Sequence, residues 1–218
     1  AADLNGRLTD TRLDPGDGVV IDERSFALSP DGRKLLFHGA RAKGSGEGGG
    51  PVKLHVLDLA RGAAEELRGF DGQHAFWSPD GRELAYFANG KLWRQGYPTG
   101  PAREICAAEN ASAGHWGAKG VIVFASSSHQ PVARVDANGG QPVVVTPYEP
   151  GAKRHEAPFL LPDGRHCVYW SAENRRIGRL MLADLVARAH GGNIRIDEQA
   201  QGFTLAMQLG LPPVPLSS

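Results

Sequence analysis

The sequence has no excess of charge of either sign and very few cysteines. Its 218 residues include 24 lysines and arginines and 24 aspartates and glutamates, so no long-range field favours nucleic acid or an anionic membrane. Cys106 and Cys167 fit no metal-ligand spacing and lie among apolar residues, so we expect two buried free thiols. No apolar run approaches membrane-spanning length, and the start lacks the features of a signal peptide. Both a cytoplasmic and a periplasmic location agree with these absences.

The chain is rich in turn-forming residues, with 29 glycines and 15 prolines, and it repeats one hairpin. Residues 26–37, 76–87, 115–124 and 159–170 each read as apolar strand, tight turn and apolar strand. The last glycines of the four turns are separated by 49, 39 and 44 residues. Strand-rich units that repeat about every 40–45 residues are typical of a β-propeller, in which each repeat forms one four-stranded blade.

The turns have a clear local chemistry. Residues 29–32 and 78–81 both read Ser-Pro-Asp-Gly, residues 161–164 keep three of these four positions, and residues 117–120 keep only the glycine. Proline presets the backbone for a type I turn, aspartate accepts nearby backbone hydrogen bonds, and glycine adopts the left-handed conformation that closes the hairpin. Three such turns in register, each flanked by apolar strands, predict an all-β protein.

Residues from about 14 to 172 resemble the WD40-like, TolB-like propeller repeats of the PD40 type found in bacterial proteins. The Ser-Pro-Asp-Gly turns carry this resemblance, together with residues 76–92, 133–146 and 155–166. Within this family, the sequence most resembles the propeller that follows a serine/threonine kinase domain or a winged-helix regulatory domain. Such rings generally have more than four blades. The resemblance therefore implies an all-β propeller of about four recognisable blades, either partial or completed by another segment or chain.

The last part of the chain lacks this turn, so we divide the sequence into propeller repeats over residues 1–174 and a divergent tail over residues 175–218. In one interpretation the tail adds further blade strands, because residues 179–185 are similar to residues 53–59. In the other, which local propensity favours, residues 177–189 form a short helix with its apolar positions on one face. Both interpretations predict strands near residues 193–197 and 203–209.

No residue pattern predicts catalysis, a cofactor or a metal. His74, His115 and His155 lie at different distances from their turn glycines, so they do not form a symmetric ring of ligands. The serine in residues 44–48 lacks the spacing of a Gly-x-Ser-x-Gly nucleophile elbow. Trp77 and Trp116 occupy equivalent positions and are expected to pack between adjacent blades.

The polar approach to the presumed channel mouth predicts a contact surface for a protein or peptide. Its candidate partner-binding residues are His115, Arg154 and His155. Trp93 is a fourth candidate, because it lies on a probable third strand where partial exposure is easier. By resemblance, the function is that of a non-catalytic interaction or sensing module in a bacterial signalling or regulatory protein. We expect no nucleic-acid partner and no membrane insertion, and we expect a homodimer if the propeller is incomplete.

Two alternative functions stay open at this point. One is the substrate-gating propeller of a prolyl-oligopeptidase-like serine peptidase, whose chemistry would lie on a separate hydrolase domain. The other is a truncated fragment without an independent function. The small number of turns and the divergent tail favour this alternative.

Overall fold

The second turn shows how the sequence builds these hairpins. The Gly81 N–H donates to the Ser78 carbonyl at 2.9 Å, and Gly81 has a φ of 69°. The Ser78 hydroxyl donates to Asp80 Oδ1 at 2.7 Å, and this oxygen also accepts the Arg82 N–H at 3.0 Å. The Glu83 N–H donates to Ser78 Oγ at 2.9 Å. The serine and the aspartate therefore satisfy backbone groups that the chain reversal leaves unpaired.

The other three turns confirm the predicted repeat. In the first turn, the Ser29 hydroxyl donates to Asp31 Oδ1 at 2.6 Å. In the fourth, Asp163 Oδ1 accepts a backbone N–H at 2.8 Å. The third turn has neither the serine nor the aspartate and is closed by backbone bonds, from the Gly120 N–H to the Gly117 carbonyl at 3.1 Å and from the Gly117 N–H to the Val121 carbonyl at 2.8 Å. The turn glycines of all four have φ between 65° and 74°, the left-handed conformation that the sequence predicts.

The computed structural model describes residues 19–43, 47–48, 50–126, 130–146, 154–172 and 178–185. Its strands form four antiparallel sheets, one for each predicted hairpin, which we call blades 1 to 4. Blade 1 contains β1 (Val19–Leu28), β2 (Lys34–Lys43), β3 (Glu47–Gly48), β4 (Lys53–Asp58) and β5 (Ala63–Glu66). Blade 2 contains β6 (Gln73–Trp77), β7 (Glu83–Ala88), β8 (Lys91–Gly96) and β9 (Ala102–Ala107). Blade 3 contains β10 (Ala111–Trp116), β11 (Val121–Ser126), β12 (Ala133–Asp136) and β13 (Val143–Val144), and blade 4 contains β14 (Arg154–Leu160), β15 (His166–Ala172) and β16 (Gly178–Asp184).

The blades pack face to face in chain order. The first strands of consecutive blades lie next to one another, so β1, β6, β10 and β14 form the inner wall. Each of three apolar clusters joins two consecutive blades. Between blades 1 and 2, the cluster contains Leu36, Leu54 and Val56 with Ala75, Trp77 and Tyr86. Between blades 2 and 3 it contains Phe87 and Ile105 with Trp116 and Phe124, and between blades 3 and 4 it contains Val123 and Ala125 with Leu160 and Tyr169. Burial of both faces of the middle sheets explains the continuous apolar runs in β7 and β11.

The inner strands approach each other closely. A Cβ atom added to Gly114 on β10 would lie 2.6 Å from Cε1 of Phe76 on β6, which is shorter than any van der Waals contact. Glycine at this position therefore lets the Phe76 ring lie directly against the backbone of the next blade.

The predicted helix over residues 177–189 is wrong for the residues that the structure describes. Gly178–Asp184 form β16, which pairs antiparallel with β15 from His166↔Asp184 to Ala172↔Gly178. The interpretation with further blade strands is confirmed here. The strands predicted near residues 193–197 and 203–209 lie outside the described residues, and the division of the chain after residue 174 stays a prediction.

Candidate protein-interaction surfaces

The predicted contact residue His115 lies at the junction of blades 3 and 4. Its Nδ1 accepts a hydrogen bond from the Leu160 N–H at 3.2 Å, and its ring centroid is 4.1 Å from that of Phe159. Burial lowers the pKa of His115, which favours the neutral imidazole near pH 7. His115 therefore joins two blades rather than offering a free charge to a partner.

Arg154 and His155 begin the inner strand of blade 4, about five residues from the end that His115 contacts. His155 is only 4% exposed, its Nδ1 lies 2.8 Å from Thr146 Oγ1, and its ring centroid is 4.7 Å from that of Tyr169. Arg154 is half-buried and pairs with Glu156, with 3.2 Å between Nε and Oε1. Of the two, only Arg154 can reach a partner without a local rearrangement.

Trp93 lies on the third strand of blade 2 and packs against the cluster between blades 1 and 2. Its indole N–H donates to the Ala88 carbonyl at 3.1 Å. The four predicted residues thus lie in different parts of the propeller, and the structure does not unite them in one surface. As partner-binding residues they stay a prediction.

A regular rule fixes which neighbour each inner-strand residue faces. The residue four positions before the turn glycine packs on the preceding blade, and it is Trp77 in blade 2, Trp116 in blade 3 and Leu160 in blade 4. Trp77 and Trp116 are 6% and 7% exposed, which confirms the predicted packing between blades. The equivalent residue of blade 1 is Leu28, which is 56% exposed. The same face carries Phe26, 71% exposed.

The opposite face of each blade packs on the following blade. The second strands of blades 1 to 3 contribute residues such as Leu36, Phe87 and Ala125, all buried in the junctions. In blade 4 the position equivalent to Phe87, six residues after the turn glycine, is Trp170, which is 38% exposed. Leu180 lies directly opposite Trp170 on β16 and is 43% exposed.

Two apolar faces at the ends of the blade series follow from this rule. We call the apolar face of blade 1 the leading face; its inner strand exposes Phe26 and Leu28, whereas Phe37 and Leu57 on the same face are each 1% exposed. We call that of blade 4 the trailing face (Phe159, Val168, Trp170, Leu180 and Leu182). Phe159 is 51% exposed, and Val168 lies between it and Leu182 across the sheet. Clustered apolar side chains of this kind mark interaction sites on soluble proteins.

Sequence reasoning placed these residues in strands but did not identify them as a surface. The signal was present, because Leu28 and Trp170 occupy the repeat positions of residues that face a neighbouring blade. Its meaning depends on the direction in which each face points and on which blades adjoin it, and neither follows from the sequence.

No group of three or more histidine, cysteine, aspartate or glutamate side chains suited to a metal occurs within the described ranges. The same part of the chain contains no helix long and apolar enough to cross a membrane. Cys106 and Cys167 are buried free thiols, as predicted.

No known protein-family model matches the sequence. No curated protein sequence matches it either. The fold is nevertheless similar to many solved structures. TolB from Acinetobacter baumannii is 21% identical with a TM-score of 0.58, and the match covers 78% of this chain and 42% of TolB. A protein assigned to TolB from Agrobacterium tumefaciens is 17% identical with a TM-score of 0.60, over 79% of this chain and 64% of the other.

A third similar structure is the β-propeller domain of Cps50 (Swd1) from Myceliophteria thermophila. It is 19% identical with a TM-score of 0.52, and the match covers 78% of this chain and 55% of that domain. This chain therefore spans less than two thirds of each of the three proteins, in agreement with a partial ring. The predicted fold is confirmed: the described part of the chain is an all-β propeller, similar in fold to TolB.

Proposed function

We propose that this chain is a non-catalytic protein-interaction module of a bacterial signalling or regulatory protein. The observation that supports this most strongly is the pair of exposed apolar faces on rigid, hydrogen-bonded sheets. The leading face exposes Phe26 and Leu28, and the trailing face exposes Phe159, Trp170 and Leu180. Apolar and aromatic side chains held by strands lose little freedom on binding, so a partner that covers them gains most of their burial energy.

The chemistry of these faces favours a protein partner. They carry aromatic and aliphatic side chains, which form the cores of protein interfaces, whereas nucleic-acid sites need clustered lysines and arginines. The chain as a whole has 24 basic and 24 acidic residues, so a long-range attraction to phosphate does not compete with this apolar contact.

A library of displayed protein fragments, panned against the purified chain, tests the interaction function. We expect enriched fragments whose affinity, measured by calorimetry, falls about tenfold or more when Trp170→Ser and Leu180→Ser are combined. The matched control is Val143→Ser, because Val143 is 53% exposed but lies on β13 of blade 3, away from both end faces. Fragments that bind the double variant as tightly as the native chain would contradict the assignment of the surface, and the absence of any binder would contradict the function.

The regulatory setting has a separate test in the gene that encodes the chain. A kinase or winged-helix domain encoded on its amino-terminal side agrees with the proposal. A hydrolase domain with a nucleophile elbow on its carboxy-terminal side would instead favour substrate gating for a serine peptidase.

A further inference from the structure

We propose that a cavity between blades 1 and 2 binds a small zwitterion, an α-amino acid with an apolar side chain such as leucine. This inference goes beyond the proposed interaction function and depends on neither end face. The cavity has a volume of about 160 Å³, and its lining includes Lys34, Val56, Asp58, Ala63, Glu65 and Tyr97. Sites for drug-sized ligands occupy roughly 300–1,000 Å³, so this cavity suits a smaller molecule.

One face of blade 1 forms most of the cavity wall. Lys34 on β2 lies opposite Asp58 on β4, and Asp58 lies opposite Ala63 on β5. Two residues along the sheet, Val56 pairs with Glu65. Alternate residues of a strand point to the same side, so these five side chains share the face of blade 1 that packs on blade 2.

Tyr97, which follows β8 of blade 2, provides the opposite wall. Its ring packs edge-on against Trp77, with 4.8 Å between the ring centroids. Its hydroxyl accepts a hydrogen bond from Lys34 Nζ at 3.1 Å, and the same Nζ lies 4.9 Å from the ring centroid. The aromatic wall and the lysine are therefore positioned by their neighbours, which lowers the entropic cost of binding.

The repeat shows why the cavity forms at this junction. Val56 pairs with Leu36, four residues after the turn glycine of blade 1, and the equivalent residue of blade 2 is Arg94, which pairs with Ala85. Arg94 extends to blade 3, where its Nη1 donates to Asn138 Oδ1 at 3.2 Å. The junction of blades 2 and 3 thus holds an arginine side chain at this position, whereas the shorter Val56 leaves space.

The charges that remain in the cavity are one of each sign. Asp58 is engaged by its own turn, because its Oδ1 accepts the Ala60 and Arg61 N–H groups at 2.9 and 3.0 Å and its Oδ2 lies 4.0 Å from Arg61 Nε. Within the described ranges, neither Lys34 nor Glu65 has an ion-pair partner. One cation and one anion therefore face the cavity without an opposite charge.

A zwitterion matches both of them. Two strand spacings, about 10 Å, separate β2 from β5, and the long side chains of Lys34 and Glu65 can close on a molecule the size of one amino acid. The ligand carboxylate would accept hydrogen bonds from Lys34, and its ammonium group would donate to Glu65. Val56 and Ala63 would contact an aliphatic side chain. A simple anion or a simple cation would leave one of the two charges unmatched.

Titration of the full chain with three related molecules, followed by the amide chemical shifts in NMR spectra, tests the site. The molecules are L-leucine, 3-methylbutylamine, which lacks the carboxylate, and 4-methylpentanoate, which lacks the ammonium group. We expect saturable shifts at Lys34, Ala63 and Tyr97, with a dissociation constant for L-leucine of about a millimolar or below. Each analogue should bind about fivefold or more weakly, because it loses one charge-assisted hydrogen bond.

Two variants test the two charges separately. Lys34→Met should weaken L-leucine binding about fivefold or more and change 3-methylbutylamine binding little. Glu65→Gln should weaken L-leucine binding similarly and change 4-methylpentanoate binding little. The matched controls are Lys91→Met and Glu104→Gln, because this exposed ion pair joins β8 to β9 at the other end of blade 2 from Tyr97. Both controls should bind L-leucine as the native chain does, and circular dichroism identifies any variant that has lost its fold.

The absence of saturable shifts with L-leucine overturns the inference, and so do shifts confined to residues away from the cavity. Equal affinities for L-leucine and either analogue would show that the site does not recognise a zwitterion. L-leucine binding that survives unchanged in Lys34→Met and Glu65→Gln would place the ligand elsewhere. The fragment library tests the end faces and not this cavity, so failure here leaves the interaction function standing, and failure there leaves the amino-acid site standing.

Discussion

The indole N–H of Trp77 in blade 2 donates a hydrogen bond to the backbone carbonyl of Ala27 in blade 1, over 3.1 Å. The same indole packs edge-on against Tyr97, with ring centroids 4.8 Å apart. A single side chain therefore joins the inner strands of two blades and fills the space between them.

Two substitutions of Trp77 should lower the free energy of unfolding to different extents. Trp77→Phe keeps the six-membered ring but removes the pyrrole ring with its N–H, so we expect a loss of about 1–3 kcal/mol from the unpaired Ala27 carbonyl and the lost packing. Trp77→Ala also leaves a cavity, and we expect a loss of about 3–5 kcal/mol. Urea titrations followed by circular dichroism measure both. Trp170→Ala is the control, because Trp170 is 38% exposed and should change the midpoint little; equal losses at the two positions would contradict the assigned blade junction.

The contact between Gly114 and Phe76 predicts an overpacked junction when the glycine is replaced. Gly114→Ala places a methyl group 2.6 Å from the Phe76 ring, so we expect a loss of about 1–3 kcal/mol in the free energy of unfolding. Phe76→Leu removes the ring atoms involved. The double variant should therefore be less destabilised than the sum of the two single variants, as measured by urea titration. Strict additivity would show that the two residues are not in contact.

The turn of blade 4 predicts a loss of stability in acid. Desolvation raises the pKa of Asp163, but hydrogen bonds from the His166 side chain and from the His166 and Arg165 backbone outweigh it and hold the pKa at about 2. The folded-state pKa thus lies below the ordinary value of 3.8, so this carboxylate stabilises the fold above about pH 4 and loses that effect as the pH falls through about 2.

Asp163→Asn should flatten this part of the pH dependence, as measured by urea midpoints between about pH 4 and 2. His166→Leu should reduce it partly, because leucine has no side-chain donor to the carboxylate while the backbone N–H donors remain. Curves that run parallel to that of the native chain would show that Asp163 does not titrate between these limits.

Both thiols should be unreactive in the native protein. Burial raises the pKa of Cys106 to about 11, with a smaller contribution from Glu104, and burial raises the pKa of Cys167 to about 12. The reactive thiolate is therefore scarce at pH 8 and is also shielded. We expect no fast reaction with Ellman's reagent in the native state and two reactive thiols after denaturation. No thiol in denaturant would reveal a disulfide, and fast native reaction would contradict the burial.

The turns could be predicted from the sequence because their chemistry is local: Asp80 and Gly81 need only their neighbours to form the hairpin. For the strand Gly178–Asp184 the sequence left strand and helix open and local propensity favoured the helix, since Leu180 and Leu182 lie on one face of the strand and Met181 and Ala183 on the other. A strand that is apolar on both faces has no period of two, and its composition also suits a helix.

The partner-binding residues stay a prediction, because contact with a partner does not follow from the fold of one chain. His115 and His155 are polar residues near the expected channel, which indicated contact with a partner. In the folded chain, His115 accepts a backbone N–H of blade 4, and His155 lies within hydrogen-bond distance of the Thr146 hydroxyl. Trp170 resembled its buried counterparts, and its exposure depends on which neighbour is present rather than on its own strand.

Carbene footprinting of the full chain, at a concentration where light scattering gives the monomer mass, tests the central claim most directly. If the ends of the blade series are open, Phe26, Leu28, Phe159, Trp170 and Leu180 will be labelled strongly, while their buried counterparts Trp77, Trp116 and Phe87 will not. If the monomer protects these end residues as well as it protects Trp77 and Trp116, the faces are covered within one chain. That result would contradict their role as interaction surfaces.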